Sequence, residues 1–153
     1  MANYWLTGEP NIKSGNMFID LGCLVEVVGF KATNTHNYIW NNYATKDFKV
    51  YTRNWEYPYH NGHITHSNHA SANNKWTEVL SATLPDSRGQ QCNVETQVFL
   101  INSTVELNTR ITRVVWLKIE SSYPDTIGGG LLYFEVMVLP SSTACDTDIR
   151  VPG

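Results

Sequence analysis

Along the chain, apolar positions come in short runs separated by Asn, Gly, Pro and Ser. Met17 to Leu21 is an apolar segment closed by Gly22, and Leu24 to Ala32 follows directly. Phe48 to Thr52 alternates, with Phe48 and Val50 on one face, which is the period of a half-buried strand. Trp76 to Leu84, Thr96 to Ile101, Val114 to Glu120 and Leu131 to Leu139 repeat the theme. In the run from Val114, the side chains of Val115, Leu117 and Ile119 face one way and those of Val114, Trp116, Lys118 and Glu120 the other. No longer window carries an apolar i, i+3, i+4, i+7 stripe with caps, so the pattern predicts seven or eight strands and at most one helical turn. Short strands at this spacing predict an all-β sandwich or barrel, and 153 residues suffice for one such domain with its own core.

If successive strands cross a sandwich in opposite directions, the loops sort themselves. Residues 33–47, 85–94 and 121–130 fall on one rim, and residues 53–75 and 102–113 on the other. Long loops on a rigid frame are where such domains bind.

Composition adds one unusual feature. Only 16% of residues are charged, against about 25% in an average soluble protein, while Asn and Thr number 15 each and Ser 10. The surface is therefore polar without being ionic. The net charge of −3 comes from scattered groups, so no basic stripe exists to neutralise a phosphate backbone and nucleic acid is excluded as a partner. No apolar run is long enough to span a bilayer, and Met1 to Trp5 lacks the basic and apolar regions of a signal peptide. Cys23, Cys92 and Cys145 permit three different single disulfides, each leaving one thiol over.

The first rim carries Asn34, His36, Asn37 and Trp40, then Asp86 and Arg88, then Tyr123 and Asp125. Planar amide, carboxylate, guanidinium and imidazole groups pair with vicinal hydroxyls, and an aromatic ring receives the C–H face of a sugar. His36, Asn37 and Arg88 are the expected hydrogen-bonding groups, with Trp40 or Tyr123 as the stacking face. The same residues also make good turns, and Arg88 has Asp86 or a loop carbonyl as a local partner. The second rim carries His60, His63, His66 and His69 at every third position in a loop insertion of about residues 53–75. Imidazole binds zinc, copper or nickel, so these four are the candidate ligands for a labile transition metal. Trp40, Tyr43, Trp55, Tyr57 and Tyr59 also lie in predicted loops, where they either fold back as anchors or face a ligand or a second chain.

Catalysis finds no support. Ser87 lacks a Gly-x-Ser-x-Gly context, there is no His-Glu-x-x-His, and Gly128 to Gly130 precedes a strand instead of opening a helix. Asn102-Ser103-Thr104 is an N-glycosylation sequon in a predicted loop.

Taken together, Phe18 to Gly22, Val27 to Phe30, Thr45 to Tyr51, Trp76 to Val79 and Arg113 to Ile119 resemble the discoidin, or coagulation factor 5/8 type C, domain. The resemblance covers about residues 17–139, and Asn34 to Asn37, Leu84 to Arg88 and Gly128 to Phe134 are similar to stretches of invertebrate discoidin-like modules. It implies a galactose-binding-like jelly-roll β-sandwich of about eight antiparallel strands, binding carbohydrate, phospholipid headgroups or protein through its loops, often with a structural calcium. The chain departs from that pattern in lacking the usual amino-terminal Cys and the loop that supplies much of the calcium site. The expectation is a single non-catalytic, lectin-like domain over residues 1–153, secreted or extracellular, with a glycan or glycoprotein as partner and no cofactor required. Few loop Lys or Arg are present to hold anionic lipid, which disfavours a membrane. The alternative is an adhesion or assembly module that contacts another chain, including a second copy of itself.

Overall fold

A computed structural model describes residues 5–6, 15–36, 42–53, 76–90 and 93–139. They form seven strands: β1 (Trp5–Leu6), β2 (Gly15–Asn34), β3 (Asp47–Arg53), β4 (Thr77–Thr83), β5 (Gln97–Leu100), β6 (Ile111–Ile119) and β7 (Gly130–Val138). One helical turn, α1 (Leu107–Arg110), precedes β6. The fold is all-β and sandwich-like, and every pairing between these strands is antiparallel.

The two apolar runs on either side of Gly22 are one continuous strand of 20 residues, β2, where the pattern predicts two. Gly22 is not a turn but a bend within the strand. Its φ of +86° is a left-handed conformation that glycine alone adopts without strain, and its N–H donates to Asp20 Oδ1 at 2.9 Å. The register with β6 shifts between Asp20 and Val25, so the first half of β2 pairs with β6 while the second half pairs with β7 and β5 on opposite edges. One strand thereby belongs to both layers. The order runs β1-β7-β2-β6-β3-β4, with β5 attached to β2.

The core lies where the alternation places it. Val115, Leu117 and Ile119 of β6, Phe48 and Val50 of β3, and Val27 and Phe30 of β2 are buried together with Leu84 and Leu131. Phe48 meets Phe99 edge-on at 5.3 Å and Phe30 stacks on Phe134 at 5.7 Å. The opposite face of β6 is not simply solvent-facing. Tyr51 and Phe18 are the cross-strand neighbours of Trp116, at ring distances of 4.5 and 5.7 Å, and Trp76 lies edge-on to Trp116 at 5.5 Å. This aromatic row leaves Trp116 only 9% exposed and gives its indole N–H a partner in Asn16 Oδ1 at 2.8 Å. The barest apolar side chains are on the short strand β5, where Val98 is 55% and Leu100 67% exposed.

Cys23 is buried and disulfide-bonded; Cys92 and Cys145 lie outside the described residues. Among the described residues, no helix is long and apolar enough to cross a membrane.

Candidate functional site

Three loops meet at one end of the sandwich, and backbone hydrogen bonds knit them together. Ala44 N–H donates to Gly128 O, Lys46 N–H to Ser121 O, Ile127 N–H to Asn42 O, Tyr123 N–H to Ala44 O and Leu84 N–H to Lys46 O, all between 2.9 and 3.1 Å. These are the loops that strand direction assigns to the first rim. At the other end, the Thr52 hydroxyl donates to Thr109 O and the Arg53 N–H to Thr112 Oγ1, tying β3 to the start of β6.

Asn34 holds the first rim from within. Its amide nitrogen donates to Thr45 O at 2.8 Å and Pro85 O at 3.0 Å, and its amide oxygen accepts the N–H groups of Thr35 and Thr45, both at 3.0 Å. The Thr45 hydroxyl continues inward, donating to Gly130 O at 2.7 Å and accepting Gly130 N–H at 2.8 Å. A Cβ on Gly129 would come within 2.8 Å of that same hydroxyl oxygen, so the close approach requires glycine. Asp47 makes a second knot: its carboxylate accepts the hydroxyls of Thr83 at 2.6 Å and Ser121 at 2.8 Å, which hold its pKa below the usual carboxylate value.

On this frame Asp86, Arg88, Tyr123 and Asp125 come together. Arg88 Nε lies 2.9 and 3.0 Å from the two Asp86 oxygens, Nη2 donates to Oδ2 at 2.6 Å, and Nη1 donates to the Pro124 carbonyl. Both local partners considered for Arg88 are thus engaged. The guanidinium sits 5.6 Å from the Tyr123 ring centroid, while the Tyr123 hydroxyl donates to Leu84 O at 2.6 Å. Hydrogen bonding from Arg88 lowers the Asp86 pKa, and the reciprocal bond from Asp86, with the Asp125 charge adding to it, raises that of Arg88. Burial raises the Tyr123 phenol. Asp125 occupies the turn tip at φ 64°, a left-handed position that Asp tolerates better than most residues. Each terminal nitrogen of Arg88 thus commits one N–H to a partner within the rim.

Beside this cluster is a cavity of about 240 Å³. Its polar lining is Asn34, Asp86, Gln90, Asn93, Glu95 and Gln97, and Leu84, Pro85 and Val94 supply apolar surface. Among the described residues, no lysine or arginine lines it. All four hydrogen bonds of the Asn34 amide run to the protein, so this lining residue braces the rim from within. His36 is half-buried at the end of β2, and Asn37 and Trp40 lie outside the described residues. Tyr43, a candidate exposed aromatic, is buried. Gln90, Asn93, Glu95 and Gln97 were not singled out from the sequence, although an amide-rich run between Arg88 and β5 was there to be read.

His60, His63, His66 and His69 lie outside the described residues. Among the described residues, no three His, Cys, Asp or Glu side chains are placed to hold a metal ion. The chain matches no protein-family model and no curated protein.

Proposed function

We propose that the chain is a non-catalytic carbohydrate-binding domain of discoidin type that takes a neutral sugar at the first rim. The observation that carries this reading is the cavity lined by amides and carboxylates, with no basic residue among the described residues, on a rim whose backbone is fixed by its own hydrogen bonds. Neutral hydroxyls both donate and accept, so they match Gln90, Asn93 and Gln97 as well as Asp86 and Glu95. An anionic sugar would meet two carboxylates, and the nearest guanidinium is already paired with Asp86. The disulfide at Cys23 supports an oxidising, extracellular setting.

Affinity per site is expected to be weak, about 10 μM to 1 mM, so useful binding needs several sites or an oligomer. A glycan array tests the reading: binding to uncharged terminal hexoses, lost when the terminus is sialylated or sulfated, is the expected outcome. Silence across neutral glycans, with and without calcium, contradicts it. The alternative, assembly through loop aromatics, rests on Trp40, Trp55, Tyr57 and Tyr59, which lie outside the described residues, since Tyr43 is buried.

A further inference from the structure

We propose that the disulfide of Cys23 joins it to Cys145, leaving Cys92 as the unpaired thiol of the three. The chain holds only three cysteines, so the partner is one of two. The strand register decides between them.

The residues that flank Cys92 in sequence are tethered to the wrong end of β2. Asn93 donates from N–H to Gln90 O at 2.9 Å, Gln90 N–H to Ser87 O at 3.2 Å, and the Ser87 hydroxyl to Thr35 O at 2.7 Å. The chain then enters β5 with Gln97 opposite Ala32. From Thr35 back to Cys23 is about 40 Å of extended strand, whereas the Cα atoms of a disulfide lie within about 7 Å. The five peptide steps from Cys92 to Gln97 reach at most about 18 Å, and Gln97 is itself about 30 Å of strand from Cys23.

Cys145 follows β7, which runs the other way. Val138 pairs with Val27 and Leu139 N–H donates to Glu26 O at 2.9 Å, so the chain leaves β7 heading toward Cys23. Cys23 lies about 10 Å beyond Glu26 along β2, and the six residues from Leu139 to Cys145 span up to about 20 Å. The reach is ample. Cys23 also sits beside the Gly22 bend, so the bond anchors the chain after β7 to the point where β2 passes from one layer to the other. Closure takes two thiols to one disulfide, and the two electrons and two protons pass by thiol–disulfide exchange to a disulfide oxidant, which leaves as a dithiol. Gln90 and Asn93, on either side of Cys92 in sequence, both line the cavity.

Trypsin makes the test direct, because each cysteine falls on its own peptide: 14–31, 89–110 and 119–150. The native protein is unfolded in acid with an alkylating agent, digested without reduction and weighed by mass spectrometry. The expected result is 14–31 linked to 119–150, with 89–110 alkylated, and the same link in the Cys92→Ser protein. A link between 14–31 and 89–110, a link between 89–110 and 119–150, or alkylation of all three cysteines would overturn the proposal. The outcome is independent of whether any sugar binds.

Discussion

Asn34 shows how a residue type whose amide suits a sugar equally suits bracing a rim from within. Replacing it with Ala removes four hydrogen bonds at once and leaves buried carbonyl and N–H groups without partners. The expected loss is about 2–4 kcal/mol in urea unfolding, against less than about 0.5 kcal/mol for Gln90→Ala on the cavity wall. Gly129→Ala is expected to cost about 1–3 kcal/mol, because its Cβ has no room beside the Thr45 hydroxyl. Two carboxylates set the pH response. Asp47 and Asp86 both titrate below their ordinary value of 3.8 in the folded protein, so the unfolded chain takes up their protons first as the pH falls. Their contribution to stability is complete at neutral pH and is lost as the pH falls through their depressed folded values. Unfolding curves from neutral pH down to about pH 2.5 check this, and Asp47→Asn or Asp86→Asn should flatten the dependence. At this scale the sequence was informative about chemistry and silent about direction. Arg88 beside Asp86 was legible because the two are local; that Asn34 turns inward depends on Thr45 and Pro85, far along the chain.

At the scale of elements, alternation placed Val115, Leu117 and Ile119 in the core, since a period of two leaves little choice once one face is buried. It did not reveal that β2 runs unbroken through Gly22, because a glycine at φ +86° reads locally as a turn and only pairing with β6 and β7 makes it a bend. Nor did it reveal that the outer face of β6 is covered. Trp116 is shielded because Tyr51 and Phe18 happen to fall in register with it and Trp76 crosses the row. Trp116→Ala is therefore expected to cost about 3–5 kcal/mol, as for a core aromatic. Trp76 and Trp116 are close enough for their transitions to couple, so near-ultraviolet circular dichroism should show a tryptophan couplet that Trp76→Ala abolishes without unfolding the protein. A spectrum unchanged by that substitution would contradict the packing of the row.

For the whole molecule, the charge deficit and the strand order converge on the same end of the sandwich. Three loops far apart in sequence meet there because antiparallel strands return the chain to that end, and beside them Asn34 and the Asp, Gln, Asn and Glu side chains of residues 84–97 line a small cavity with no base among the described residues. Strand counting gave the meeting of these loops; the cavity itself arises from how residues 84–97 fold back on Asn34, which no local pattern encodes. Reduction of the disulfide at Cys23 is expected to lower global stability by about 2–4 kcal/mol while leaving this end intact, since the bonds that hold the rim do not pass through Cys23. The most direct measurement is a titration of the isotope-labelled protein with neutral hexoses and hexose-terminated oligosaccharides, followed by amide chemical shifts. If a neutral sugar binds at the first rim, shifts concentrate on residues 84–97 and 121–126 and saturate in the weak range, and Gln97→Ala lowers the affinity about 2–10-fold with unchanged thermal stability. Shifts confined to the aromatic row of Trp76 and Trp116, or no saturable shift with any neutral sugar, would contradict binding at the first rim.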